Sequence, residues 1–586
     1  MKNILQKCGL PALALFTFFF LLGNRSLNEP DEGRYSEIAR EMIETGDWLV
    51  PHLWYLPHLD KPPMTYWLVA TSMKIFGQNE WAARLPAALA GISGVWAAFL
   101  FGCSLGGRRV GLWSALILQS SLIYFVMARM LTPDIFLTQF VVWAIYFFWR
   151  SWLAANRSAG ILPAYSNFSE DETRRQDGGA PRKSEFFAWH LAGWVAIALG
   201  FLTKGPIALA IPLLAFMALL ILRRKEIPQK KMVFTGLIVG FMVFLILSSP
   251  WFLVVFQRVP GSAHYMVLGQ AAGHLLGTTI KNRPGGLFYF LGILVVGLLP
   301  WTILSGWLWR RNHWGSLAGK SKDGWLLLNV WAIFTFALFS LSQAKLPAYI
   351  LPVFPPLAVL LAMRFFDGNN PDGPQKGFLR ICLAISFVPL IAFPLLLSFA
   401  FHLEVPEFLK WQMPLVAGIA GIVCLLSRKW KMQTVAASAA GLSLIGFFII
   451  IAEIPRFETE FRGNQTLKPL GIVLRENVQP GDAVVCWGKF PQGLPFYSGL
   501  AISSTNLPYL GGMDLTQVPF EFPGNRERLR ELLLSDDAAL AQLLQNGKKV
   551  WVIGFGNTIE KFQKKQGAAL LHSVARVGQW ELFVNR

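Results

Sequence analysis

The sequence predicts a polytopic α-helical membrane protein with a small α/β domain at its C-terminal end. Three observations predict it. Of 586 residues, 54% are hydrophobic and only 15% charged, with mean hydropathy +0.45; a soluble chain of this size needs a more polar surface. Up to residue 452 the apolar residues gather in about thirteen runs, each roughly 16–25 residues long and able to cross a hydrocarbon core. Beyond 452 the pattern changes to short β-type runs, Ala483–Trp487, Val550–Phe555 and Trp580–Val584, with a helical stretch at 525–545 between them. The 14% aromatic share excludes a disordered chain. Five scattered cysteines, only Cys486 of them in the tail, argue against a disulfide framework.

The apolar runs lie at 8–23, 81–103, 110–128, 135–152, 186–203, 205–222, 233–256, 286–309, 325–342, 346–363, 378–400, 412–427 and 434–452. The first follows Lys2 and Lys7 as a secretory signal would. No small-residue cleavage site comes after it, so it reads as an uncleaved first helix. A long loop, 24–80, is next. From there the linkers alternate in charge, and those at 108–109, 150–183, 223–231, 310–322, 364–380 and 428–431 are strongly basic. Basic loops stay in the cytoplasm. The N-terminus is therefore expected inside and the C-terminal tail, after an odd number of crossings, outside. The net charge of +19 becomes a topology signal and not a nucleic-acid footprint. Residues 1–452 form the expected membrane domain, 154–185 a flexible cytoplasmic loop rich in Ser, Gly, Asp and Arg, and 453–586 the outer domain.

Ionisable residues at membrane depth are costly and point to function. Here they gather at the outer ends of the spans. In Pro30-Asp31-Glu32-Gly33-Arg34-Tyr35, Pro30 suits a first helical turn and Gly46 a stop. Tyr35, Ile38, Ala39, Met42 and Ile43 share a face, so the segment reads as an amphipathic helix lying in the outer interface. Asp31 falls in its first turn, where the helix dipole favours a carboxylate. Arg34, three residues on, can orient it. In Asp60-Lys61-Pro62-Pro63 the residue before Pro is held extended, so Lys61 is presented from a rigid turn. Arg129 to Asp134, Thr203-Lys204-Gly205-Pro206 and Gln343 to Pro352 open on the same side. Taken singly, each is a capped interfacial helix, a snorkelling lysine or a helix-ending turn. Their shared side makes them one site. Carboxylates among several cations suit transfer from a lipid-linked phosphate: cations neutralise the leaving group and a carboxylate takes the acceptor proton.

The motifs Pro30 to Tyr35, Gly46-Asp47-Trp48, Asp60-Lys61-Pro62-Pro63 and Trp67 resemble the first periplasmic loop of the bacterial protein O-mannosyltransferase-like glycosyltransferases, the group that includes the lipid A aminoarabinose transferases. Phe201 to Pro206 and Lys345 to Pro352 resemble further motifs of that group, and the likeness runs along essentially the whole chain. It implies a GT-C fold, an undecaprenyl phosphate-sugar donor and an inverting transfer to a periplasmic acceptor. The expected acceptor is a lipid A or lipopolysaccharide-type glycolipid, with a protein hydroxyl as the alternative. The resemblance assigns catalysis to Asp31, with Arg34 as its neighbour, and donor-phosphate binding to Lys61, Lys345 and Tyr349; Arg34 and Lys204 are expected to stabilise the phosphate with them. It puts Asp134 near the catalytic cavity, and Glu32, beside Asp31, is expected among the cavity's polar groups. It also implies a divalent metal ion near Asp60, with His264 as a second candidate. The Glu-His pair usual in the family after the His-Tyr motif is Gln270-Ala271 here, a departure at that metal site. The location implied is the bacterial inner membrane.

Two other classes fit parts of the pattern. A lipid-linked sugar flippase is expected to carry broken helices and charges near the midplane, in paired repeats; here the charges lie at helix ends and no repeat is visible. A scaffold built on residues 453–586 would lose its partners on deletion of that tail.

Overall fold

The computed structural model describes residues 2–157, 183–227, 229–267, 285–305, 308, 319–366, 411, 414–415, 417–419, 421–422, 432–453, 466–488, 491–499, 509–511, 533–534, 537–566 and 571–585. The expected run at 378–400, most of the run at 412–427 and nearly all of the loop at 154–185 lie outside these residues.

Helix α1 (Lys2–Phe19) leads into the loop that carries α2 (Asp31–Thr45), a two-stranded hairpin of β1 (His52–Leu53) and β2 (Leu56–Pro57), and α3 (Met64–Phe76). The long α4 (Glu80–Gln119) starts at Asn79, whose side chain accepts from the Ala82 amide at 2.8 Å. It breaks at Gly106 and Gly107, the latter at φ 76°. The two arms fold back on each other so closely that a Cβ on Gly102 would stand 2.9 Å from the Gly111 Cα. The runs 81–103 and 110–128 are thus the arms of one helical hairpin with Arg108 and Arg109 at its tip, the second arm completed by α5 (Leu122–Met127).

Helices α6 (Pro133–Arg157), α7 (Lys183–Lys204), α8 (Ile207–Leu222) and α9 (Lys230–Arg258) follow, then Gly319–Leu341 and, after a 3-10 segment at Pro347–Val353, Phe354–Phe366. Helix Met432–Glu453 occupies the last run. Among the described residues, five helical segments are long and apolar enough to cross a membrane: Glu80–Gln119, Lys183–Lys204, Lys230–Arg258, Ser321–Leu341 and Pro347–Arg364. Three expectations change here. The run at 286–309 is a shorter helix, Tyr289–Gly297, followed by a turn and Thr302–Ser305; Pro300 cannot donate to the ladder and its ring clashes with the preceding turn. The run at 346–363 opens as a 3-10 segment, Pro347–Val353, in which Pro352 lacks the amide that a regular α-helix would use there. Helix α2 is not an interfacial amphipath. It is buried on nearly every face, with Glu32, Glu37, Arg40 and Glu41 among its buried residues.

That burial is possible because the charges are satisfied. Arg40 bonds Glu37 at 2.7 and 2.8 Å and Glu44 at 2.5 Å. Glu41 accepts from the Trp54 and Tyr55 amides at 2.6 and 2.8 Å. Those two residues form the hairpin turn with φ of 54° and 57°, a conformation costly for bulky side chains. The two bonds to Glu41 hold it.

After residue 466 the strands Ala483–Trp487 (β3), Tyr509–Gly511 (β4), Leu533–Leu534 (β5), Val550–Phe555 (β6), His572–Val577 (β7) and Trp580–Val584 (β8) form one sheet in the order β5-β4-β3-β6-β8-β7. β5, β4, β3 and β6 are parallel; β8 and β7 are antiparallel. Every residue of β3 and β8 is buried, and five of the six in β6, as expected of strands covered on both faces. Of the helix expected at 525–545, residues 525–532 and 535–536 lie outside the described residues; Leu533–Leu534 is the strand β5 and Asp537–Gln545 is helical. Segment 491–499 and helix Lys468–Asn477 seat this part on the first loop. Ser26 Oγ donates to Thr466 Oγ1 at 2.6 Å, Gln78 Nε2 to the Phe496 carbonyl at 2.8 Å and Lys468 Nζ to Glu80 at 2.6 Å.

Candidate active site

Two adjacent carboxylates begin α2 and have opposite surroundings. Asp31 is 43% exposed and pairs with Arg34 at 2.5 Å; the next turn of the helix supplies the partner, as the i, i+3 spacing requires. Glu32 is fully buried. It takes Arg25 at 2.6 and 3.0 Å and Arg84 at 2.8 and 2.9 Å, and it accepts from the Asn28 and Leu131 amides at 3.0 Å each. Burial alone would raise its carboxyl, but Arg25 and Arg84 hold it well below the usual carboxylate range. In place of the cavity position expected of Glu32, the structure gives it a buried ion-pair knot tying α2 to α4 and to the segment before α6.

The Pro62-Pro63 turn before α3 directs Lys61 into a cavity of about 790 Å³. Asp60, Lys61, Lys204, Ser342 and Tyr349 line its polar parts, and Phe201, Phe244, Phe252, Leu253 and Phe256 much of its apolar wall. Lys204 arrives because α7 stops there: Gly205 takes φ 71° and its amide bonds the Phe201 carbonyl, and Pro206 then opens α8. Its ammonium pairs with Asp134, in the first turn of α6, and lies 4.1 Å from the centre of the Tyr349 ring. Tyr349 is held on the 3-10 segment. Lys61 Nζ donates to the Asp60 carbonyl at 2.9 Å. Burial pushes its ammonium down to about 8; Asp60 opposes the shift, and Lys204 and Arg34 add to it. Asp60, Lys61, Lys204 and Tyr349 therefore converge, with Asp134 paired to Lys204, whereas Asp31 and Arg34 are not among the side chains lining this cavity. Lys345, buried beside them, donates from Nζ to the Ser342 carbonyl at 2.5 Å and is not among the side chains lining the cavity.

The metal candidates do not assemble. Asp60 accepts from the Tyr265 hydroxyl and lies 3.7 Å from His58 Nε2, while His264 is exposed on a single turn, Ser262–His264. Among the described residues no group of three His, Cys, Asp or Glu side chains could hold a metal ion. Gln270, Ala271 and His274 lie outside the described residues. The residues that sequence reasoning passed over are Arg25, Arg84 and Glu29. Arg84 carried a readable signal, a lone cation inside an apolar run, with Glu32 as the buried acid it needed. Glu29 carried none, since its partner is a backbone amide 464 residues away.

The chain is similar in sequence and in fold to known proteins. A family model described as dolichyl-phosphate-mannose-protein mannosyltransferase matches residues 60–164. The chain is 32% identical over 365 residues to an undecaprenyl phosphate-alpha-4-amino-4-deoxy-L-arabinose arabinosyl transferase of Edwardsiella ictaluri, covering 62% of this chain and 60% of that one. A second protein of that name, from Proteus mirabilis, is 27% identical over 472 residues, 76% of each chain. The chain thus spans about three fifths of the length of the Edwardsiella relative. The crystal structure of ArnT from Cupriavidus metallidurans bound to undecaprenyl phosphate superposes with a TM-score of 0.78 at 24% identity, over 98% of this chain and 97% of that one. The apo structure gives the same score at 23% identity. The chain has the GT-C fold.

Proposed function

We propose that this protein is a membrane glycosyltransferase that moves one sugar from undecaprenyl phosphate to an outer-face acceptor. The observation that carries the reading is the cavity: cationic side chains at its polar parts and an aromatic, apolar wall along α9. A polyprenyl phosphate has the same two-part chemistry. The flank is open to lipid, since α9 turns Ile246 and Leu253 outward. Names of the relatives support undecaprenyl phosphate-linked 4-amino-4-deoxy-L-arabinose as the donor; lipid A or a similar glycolipid as the acceptor rests on the motif resemblance alone. The family match at 60–164 supports a protein hydroxyl as the second reading.

In this mechanism Lys61, Lys204 and Arg34 supply positive charge for the donor phosphate and its leaving group. Tyr349 fixes the Lys204 ammonium from its ring face, and Lys345 stiffens the turn after Gly319–Leu341. The acceptor hydroxyl oxygen attacks the anomeric carbon. The bond from that carbon to the phosphate oxygen breaks, and the phosphate leaves with the electron pair. The hydroxyl proton passes to the Asp31 carboxylate, which Arg34 orients while leaving it accessible. A single displacement inverts the anomeric centre. Asp134 keeps Lys204 aimed at the cavity. No step is routed through a metal ion.

We read the chain as a multi-pass inner-membrane protein with its N-terminus in the cytoplasm, residues 453–586 forming a periplasmic domain and about thirteen spans in all. Full-length protein in proteoliposomes, given undecaprenyl phosphate-aminoarabinose and lipid A, should yield lipid A heavier by one aminopentose in mass spectra. Donor crossing the bilayer without transfer to lipid A or to protein would replace the enzyme with a flippase.

A further inference from the structure

The C-terminal segment 491–499 sits directly on the first turn of α2. The Gly493 amide donates to Glu29 Oε1 at 2.9 Å. The two backbones touch there: a Cβ on Gly493 would stand 2.6 Å from the Gly33 Cα, and one on Gly33 would stand 3.0 Å from the Gly493 Cα. On the same segment the Tyr497 hydroxyl accepts from the Leu27 amide at 2.6 Å. Glu29 faces Arg34 and Asp31 from α2 and the backbone of Gln492 and Gly493 from the C-terminal side. We propose that Glu29 is a positioning residue: it locks segment 491–499 onto α2, and that lock holds the Asp31–Arg34 pair in line for the acceptor.

The inference rests on Asp31 being the base. A carboxylate oxygen between two glycine backbones leaves no space for the segment to slide, and misplacement of a catalytic group by about 1 Å costs up to a hundredfold in rate. Burial lifts the Glu29 carboxyl to about 7, against the Gly493 amide and Arg34, which pull it down. Its docked value exceeds its ordinary one of 4.5. The sign follows: the lock is tightest below about 4.5 and loosens as pH rises through about 7.

The test compares wild type, Glu29→Ala, Glu29→Gln and Asp31→Asn as full chains in proteoliposomes. The readouts are kcat and donor KM in the transfer assay and hydrogen exchange at 491–499 between pH 4.5 and 8. Glu29→Ala should lower kcat about tenfold or more, leave donor KM within about twofold and speed exchange at Gly493. Glu29→Gln keeps an acceptor oxygen. It should recover most of the kcat lost in Glu29→Ala and abolish the pH dependence of the Gly493 protection factor, the exchange rate divided into its intrinsic value at each pH. Wild-type kcat or unaltered Gly493 exchange in Glu29→Ala, beside an inactive Asp31→Asn, overturns the positioning role. Transfer by Asp31→Asn overturns instead the reading of the base. Should Glu29→Ala fail to accumulate, a Gly493 protection factor that still changes with pH in Glu29→Gln overturns the lock.

Discussion

The Glu32 knot and the lysine-lined cavity use the same kinds of charge for opposite ends. Around Glu32, two guanidinium groups and two amides meet one fully buried carboxylate. Around Lys61 and Lys204, the cations face a cavity large enough for a ligand, with Asp134 paired to Lys204 and Asp60 beside Lys61. A carboxylate whose oxygens are fully taken by partners holds elements together, and cations that open onto a cavity are prepared for an anion. Neighbouring positions in sequence, 31 and 32, fall on the two sides of this division.

Removing one partner should separate the regions most sharply at the knot. Glu32→Ala leaves two buried guanidinium groups uncompensated, a loss of about 3–5 kcal/mol for a buried pair. Thermal unfolding in detergent should report it as a large drop in midpoint, and an unchanged midpoint would remove the structural role. Asp31→Asn should leave that midpoint alone and reduce transfer by about 10²–10⁴-fold, the range of a general base; near-normal turnover would strike Asp31 from the mechanism. Lys61→Ala should weaken undecaprenyl phosphate binding, read by titration into nanodiscs, by about tenfold, the worth of one charge-assisted contact. Retained affinity would mean that Lys204 and Arg34 suffice. The smallest effect concerns pH. The Lys61 ammonium, pushed down to about 8, is charged below that value and neutral above it, so donor KM should rise several-fold from pH 7 to 9. A bound phosphate should shift the rise to higher pH. Lys61→Arg, charged throughout, should lack the rise.

Much of this was legible in the sequence. The runs bounded by Arg108-Arg109 read as two helices, because glycines and arginines mark a hairpin tip. β3, β6 and β8 lie on the three runs read as strands, whose apolar residues are continuous. Lys61, Lys204 and Tyr349 were legible through adjoining prolines and glycine, which fix where a chain turns whatever surrounds it. Illegible was the burial of α2: Glu37, Arg40 and Glu41 look like a solvated face, and only tertiary contacts with Tyr55 and the hairpin amides make them interior. Glu32 read as a cavity group for the same reason. Its partners are separated from it by 7, 52 and 99 residues, and periodicity carries no information at such distances. β4 and β5 were missed because strands of three and two residues carry too little pattern.

The reach of the Glu32 contacts has a consequence for biosynthesis. A ribosome delivers residue 32 well before residue 84 and longer still before Leu131. During that interval Glu32 has only Arg25 of its two guanidinium partners. The loop can reach its final form only once the hairpin of α4 has inserted and Leu131 has followed. Nascent chains arrested before residue 131 should therefore expose the first loop to added protease, and chains arrested well after it should protect it.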